Sequence, residues 1–216
     1  QQYGLILSEI DVATHGQESG VTKLGVANHD GGNGYGLILT GGSVNDEVDV
    51  TIGLGTASVT TAAGDLSVTS NATVGGTLTA TKRKFTKTSN TDATHDGDVV
   101  YFGGTESLTP GAIYHYKSDG SWEAADADAA ANCDGLLAVA LGAASDDDGM
   151  LLRGMVTLDH DPGAVGDVLF LSTTAGDCSA TAPSGTGDII RVVGYCLDAS
   201  NGQIWFNPDG TYVEVA

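Results

Sequence analysis

The sequence is short of positive charge, proline, cysteine and aromatic residues, and each shortage removes a class of protein. Lys and Arg together number 8 against 28 Asp and Glu over 216 residues, a formal net charge of -20. Nucleic-acid binding needs a basic footprint that displaces counterions from phosphates, so no nucleic-acid partner is expected. The same repulsion opposes docking on an anionic bilayer. No apolar run approaches the ~20 residues that cross a membrane as a helix, so no membrane insertion is expected either. Pro supplies only 4 residues, too few for a proline-stiffened linker. The three cysteines, Cys133, Cys178 and Cys196, have no paired metal-ligand spacing, and their odd number leaves at least one thiol unpaired within a chain. A Cys178 to Cys196 bridge and buried free thiols are both open readings. The chain starts at Gln1-Gln2, without Met and without the charged-then-apolar pattern of a signal peptide, as expected of a processed or excised polypeptide.

Glycine, by contrast, supplies 32 residues, about twice its usual share. Hydrophobic residues make up 41% and charged residues 17%, so the chain can bury a core and is not of disordered composition. Its length fits one large domain or two small ones. No segment before residue 85 keeps a helical period, and the expected class is all-β. Tyr3-Gly4-Leu5-Ile6-Leu7 recurs as Tyr35-Gly36-Leu37-Ile38-Leu39, an apolar run of strand length used twice. With Val48-Asp49-Val50-Thr51-Ile52 and the glycines around it, this gives residues 1–63 the character of a β-rich attachment segment.

From 66 to 81 the pattern becomes regular. Read in sixes, Leu66, Ala72 and Leu78 align, as do Val68, Val74 and Ala80, with Ser67, Thr73 and Thr79 between them. Alternation puts the apolar residues on one face of a strand and the hydroxyls on the other. One narrow stripe of small residues cannot bury itself, whereas stacked rungs of a β-solenoid or three chains around an axis would bury it. Residues 64–85 are therefore expected to form a thin, trimeric, solenoid-like shaft. The alternative is an antiparallel hairpin turning at Ser70-Asn71 or Gly75-Gly76. Lys82, Arg83, Lys84 and Lys87 follow, half of the basic residues. They are expected to pair with carboxylates of a neighbouring subunit or domain, the alternative being a solvated hinge.

Residues 86–216 read as an all-β barrel or sandwich, with candidate strands at 99–102, 113–116, 136–141, 150–158, 168–172, 189–197, 203–206 and 211–215, and turn signals such as Ser118-Asp119-Gly120 and Asn201-Gly202 between them. Only 124–132 has the composition of a short helix. Tyr114, Tyr116 and Trp122 flank one turn and would either stack on a sugar or pack against their own hairpin, while Trp205 and Phe206 belong to a core strand.

Motifs for chemistry are missing. The sequence contains no nucleophile elbow, Walker loop, dinucleotide fingerprint or His-Glu-x-x-His helix. The Gly31-Gly32, Gly41-Gly42 and Gly75-Gly76 pairs open no helix and read as turns. Of the five histidines, His29-Asp30, His95-Asp96 and Asp159-His160-Asp161 lie beside acids. The last is the best metal candidate on paper, but neighbouring strand residues face opposite ways, so the three converge only if a turn intervenes. Asp146-Asp147-Asp148 lacks the spacing of a calcium loop, and it reads as a solvated turn, as do Asp126 and Asp128. A two-carboxylate glycosidase would need a pair in one cleft, and no pair stands out. No catalytic residue, cofactor or metal is expected.

The stretch from Gly64-Asp65-Leu66-Ser67-Val68 through Ala72-Thr73-Val74-Gly75-Gly76-Thr77-Leu78-Thr79 resembles the shaft-forming repeats of bacteriophage tail fibres and other virion appendages. The run from Gly166-Asp167-Val168-Leu169-Phe170-Leu171-Ser172 through Gly194-Tyr195 is similar to C-terminal β-domains of virion proteins of marine and cyanobacterial phages. Neither distinguishes a tail fibre from a head fibre or a capsid decoration protein. The resemblance implies a non-enzymatic homotrimer, assembled in the host cytoplasm, extracellular as part of a virion, and joined to other virion proteins. In that setting a host-surface glycan would meet Tyr114, Tyr116 and Trp122 at the tip. Two other roles fit the same chain. One is a capsid cement protein; the other is a cellular surface or filament protein whose chains exchange a terminal strand such as 211–215.

Overall fold

The computed structural model describes residues 4–15, 17–29, 32–53 and 55–216. Tyr3 of the first pentapeptide copy, Asp30 beside His29 and Gly31 beside Gly32 lie outside the described residues. Within them the chain is all-β: every strand pairing is antiparallel and no α-helix occurs. The 124–132 segment contributes only a 3-10 turn at Ala130–Asn132, too short to satisfy its own backbone as a helix. The chain divides into two compact units, Gln1–Leu78 and Thr79–Ala216.

The first unit is one four-stranded meander: β1 (Gly4–Val12), β2 (Ser19–Ala27), β3 (Asn33–Gly41) and β4 (Val48–Ile52), each paired to the next. The register decides its faces, because paired residues point the same way. Ile6 opposes Leu24, which opposes Leu37, which opposes Ile52. Ile10, Val26, Leu39, Val48 and Val50 share that side, giving nine aliphatic side chains and no charge on one face. The other face is mixed. There the Lys23 ammonium donates to Glu9 at 2.9 Å and lies 5.6 Å from the Tyr35 ring centre, and the Glu9 bond raises the lysine's pKa. The two pentapeptide copies fall in β1 and β3 but present opposite sides: Ile6 is on the aliphatic face in the first, Leu37 and Leu39 in the second. A bulge at Gly36 contributes to this change, since Gly25 pairs with Tyr35 while Leu24 pairs with Leu37, and a one-residue slip reverses every side chain after it.

Residues 55–84 are exposed without exception and join no ladder. Leu66 is 79% and Leu78 74% exposed. The strand expected at 66–81 is not formed with any described part of its own chain, and neither is the alternative hairpin. A strand needs a neighbour to accept its amides, and the described residues supply none here.

The second unit is built on β5 (His95–Val100), β6 (Ile113–Tyr116), β7 (Trp122–Ala124), β8 (Leu137–Ala140), β9 (Met150–Thr157), β10 (Val168–Leu171), β11 (Cys178–Ser179), β12 (Ile189–Ile190), β13 (Val192–Asp198), β14 (Gln203–Phe206) and β15 (Val213–Glu214). Nine of these make one sheet curled into a half-barrel, and β12 pairs with β15 separately. β9 is the junction. Its start pairs with β8, its end with β14, and β5 runs along it. Gly97 and Gly154 face each other where β5 crosses β9, and a Cβ on either would fall within 3 Å of the other strand's backbone, so only glycine permits the approach.

The core follows from alternation along this sheet. Ile113, Leu137, Val139, Leu151, Leu169, Leu171, Ile204 and Phe206 are buried in one cluster. The intervening Tyr114, Ala138, Ala140 and Met150 are buried on the opposite side, with Trp122 and Leu108. β8 is thus covered on both faces, as its unbroken run Leu137-Ala138-Val139-Ala140 suits. Three turns launch strands with the same ending: Ala164-Val165-Gly166-Asp167, Thr174-Ala175-Gly176-Asp177 and Gly185-Thr186-Gly187-Asp188. In each, glycine has φ near +90° (91°, 88° and 89°) and the Asp amide donates to the carbonyl three residues back. This is the geometry of a type II turn.

Candidate functional site

Tyr116 and Trp122 face each other across the β6–β7 hairpin, with ring centres 4.9 Å apart, and Phe102 lies against both at 5.0 and 5.6 Å. Trp122 is 3% exposed. Its indole N–H donates to the Phe102 carbonyl at 2.8 Å, its amide donates to Thr105 Oγ1 at 2.8 Å, and Tyr114 Oη accepts the Thr109 amide at 2.8 Å. Sugar stacking needs an open ring face, and Tyr114 and Trp122 are buried under residues 102–109. Tyr116 keeps part of its surface exposed, and in this chain the three side chains pack on the outer layer of the sheet, the alternative that the sequence left open.

The basic cluster divides. Arg83 pairs with Asp98 and stacks its guanidinium 4.6 Å from the Phe85 ring centre, and Phe85 meets Trp205 edge-on at 5.2 Å. Lys87 donates to Asp198 at 3.1 Å. Arg83 and Lys87 thus reach carboxylates of their own unit. They hold the start of the second unit against β5 and the end of β13. Gln203 does the same from the core, its amide donating to the carbonyls of Thr88 and Ser89 at 3.0 Å. Lys82 and Lys84 are exposed and have no ion pair among the described residues.

All three cysteines are free and buried. Burial raises the Cys133 thiol to about 11 and raises Cys178 and Cys196 as well. None is poised as a thiolate nucleophile or ligand. Arg191 is buried beside Cys133, and burial lowers its pKa against the pull of nearby acids. Its guanidinium donates to the carbonyls of Cys133, Gly135 (2.8 Å) and Asp209 (2.9 Å). It breaks the 189–197 run into β12 and β13, where the chain changes sheets. His115 is buried with neither ring nitrogen hydrogen-bonded, 3.7 Å from Glu123 and 3.9 Å from Asp134. Burial lowers its pKa, and the two carboxylates offset only part of that.

The acidic clusters have structural employment. Asp148 accepts the Ala144 amide and Asp146 accepts that of Gly104, both at 2.9 Å. Asp126 caps Asp128 in the same way.

Among the described residues one group brings metal-ligating atoms together: Asp159, His160 and Asp177, whose donor atoms all lie within 4.8 Å of one another. Asp159 and His160 sit in a bend after β9, and Asp177 closes the turn before β11. His160 Nδ1 is 2.9 Å from Asp159 Oδ1 and 3.6 Å from Asp177 Oδ1, and Nε2 is 3.1 Å from the Cys178 carbonyl. Burial acts to lower the imidazole's pKa, but the Asp159 bond and both carboxylate charges outweigh it and raise it. No metal is expected from the sequence alone; the candidate it offers, Asp159-His160-Asp161, shares two residues with this group, and Asp161 is not part of it. Asp177 is distant in sequence, and its only sequence signal was the turn ending in Gly-Asp.

No family model, curated protein or solved structure matches the chain.

Proposed function

We propose that this chain is a non-enzymatic structural protein of a virion, a fibre, spike or capsid-surface component that works as a homotrimer. The observation that carries the assembly is the aliphatic face of the β1–β4 sheet. Ile6 and Ile10 are 75% and 77% exposed there, and Leu24, Val26, Val48, Val50 and Ile52 are exposed beside them. Strand spacing and rise give that face roughly 450 Å², a size at which the largest apolar patch of a soluble protein is often functional. It carries no charge, so copies of a chain with net charge -20 meet there without bringing like charges together. The exposed stripe of Leu66, Val68, Ala72, Val74, Leu78 and Ala80 continues the same requirement along the chain. The virion setting rests on the resemblance of residues 64–79 and 166–195 to phage appendage proteins.

Strand exchange into open filaments is the weaker reading. Val213 and Glu214 of the terminal segment pair with Ile190 and Ile189 of their own chain, and exchange must first break that pairing. Light scattering on the purified chain decides the assembly question. A particle of three times the 21.8 kDa chain is expected, and a stable monomer overturns the proposal.

A further inference from the structure

We propose that Asp159, His160 and Asp177 bind one first-row divalent transition-metal ion, a role independent of the trimer reading. In a coordination sphere with bonds of ~2.0–2.2 Å, adjacent donors stand about 2.9–3.6 Å apart. The 2.9 and 3.6 Å separations from His160 Nδ1 to the two carboxylates fall in that range, and all three donor atoms lie within 4.8 Å of one another. The outer shell is in place too. His160 Nε2 lies 3.1 Å from both the carbonyl and the amide of Cys178; with Nδ1 on the metal, Nε2 carries the proton and donates to the carbonyl, the support that orients metal-bound imidazoles.

Comparison of the three Gly-Asp turns supports the assignment. Asp167 and Asp188 fold back to accept the first amide of their own turn, from Ala164 at 2.9 Å and Gly185 at 2.7 Å. In the third turn that amide, Thr174 N–H, donates to Ser172 Oγ at 3.0 Å. Asp177 is thereby released from the turn and directs its carboxylate to His160. Two carboxylates and a divalent ion leave no net charge, and an imidazole donor selects transition metals over calcium and magnesium, which prefer oxygen alone. The three side chains leave further positions for water. Bound metal would clip the exit of β9 to the turn that starts β11.

The test is calorimetric titration of the whole chelator-treated chain with ZnCl2 and, separately, CaCl2. One Zn2+ per chain with a raised melting temperature, and weaker or absent Ca2+ binding, is expected. Asp177→Asn and His160→Gln are expected to weaken Zn2+ by ~100-fold or more, beyond the loss that outer-shell changes cause, while Asp161→Asn leaves it unchanged. Asp177→Asn keeps the test open if His160→Gln does not fold. No Zn2+ uptake by the wild-type chain, preference for Ca2+, or unchanged Zn2+ binding in a folded Asp177→Asn variant would each overturn the assignment.

Discussion

The two units of this chain use the same secondary structure and reach opposite outcomes. In both, strands alternate and pair antiparallel. In Thr79–Ala216 the sheet curls, β9 links two runs of strands, and side chains on both faces of β8 find partners. In Gln1–Leu78 four well-registered strands lie in one layer, and most of the apolar face they create is left exposed by the described residues of their own unit. Ladder hydrogen bonds and register thus come from local pattern, whereas burial requires a second layer. The second unit carries that layer within itself, and the first is proposed to obtain it from other copies.

The sharpest way to break this contrast is to remove equivalent apolar groups from each unit. Phe206→Ala is expected to cost about 3–5 kcal/mol in unfolding of the second unit, since it leaves a cavity in a closed core. Ile6→Ala is expected to cost that transition less than ~0.5 kcal/mol. Denaturant unfolding followed by tryptophan fluorescence reports the second unit alone, because both tryptophans, Trp122 and Trp205, lie in it. Equal effects would mean that the two units unfold as one and that the contrast is wrong.

Arg191→Ala is expected to cost about 3 kcal/mol in the same assay, as three backbone carbonyls lose their donor. Arg191→Lys should recover little of that, because an ammonium cannot reproduce the guanidinium fork. For the first unit the matching variant is Ile10→Asp, which places a charge on the aliphatic face. It should leave the tryptophan transition in place and reduce the particle mass to that of one chain, with about 1.5–3 kcal/mol of association lost per buried aliphatic side chain.

How much could be read beforehand follows the same division between local and distant causes. The strands expected at 113–116, 150–158 and 203–206 were legible from runs of β-branched and aromatic residues, the second ending one residue earlier in the structure, and β4 from the strict alternation Val48-Asp49-Val50-Thr51-Ile52. β7 and β11, of three and two residues, are too short to show a period. The run 189–197 reads in sequence as one strand; Arg191 interrupts it, and its three carbonyl partners come from positions 133, 135 and 209. Tyr114, Tyr116 and Trp122 could be placed on one hairpin from the sequence, yet the burial of Tyr114 and Trp122 depends on residues 102–109 folding over them, which no local pattern encodes. Asp177 was hidden for the same reason: its partner, His160, is brought beside it by the sheet.

The smallest predicted effect concerns pH and separates the units most selectively, since His115 belongs to the buried layer of the second. Its folded pKa lies below the unfolded value of about 6.5, because burial favours the neutral ring. Above that value both states hold the ring neutral and the second unit keeps its full stability. As pH falls below 6.5 the unfolded chain takes up a proton that the folded one resists, so stability declines until the folded pKa is passed. Glu123 and Asp134 face the ring and soften the decline, and Lys117 beside Glu123 acts against them. His115→Gln should remove this component of the acid slope in denaturant midpoints measured from pH 7.5 to 5, while the assembly of the first unit, whose aliphatic face holds no titratable group, keeps its mass across the same range. An unchanged slope in the variant would show that His115 is hydrated in solution and that the face of β6 it shares with Ile113 is less closed than its packing indicates.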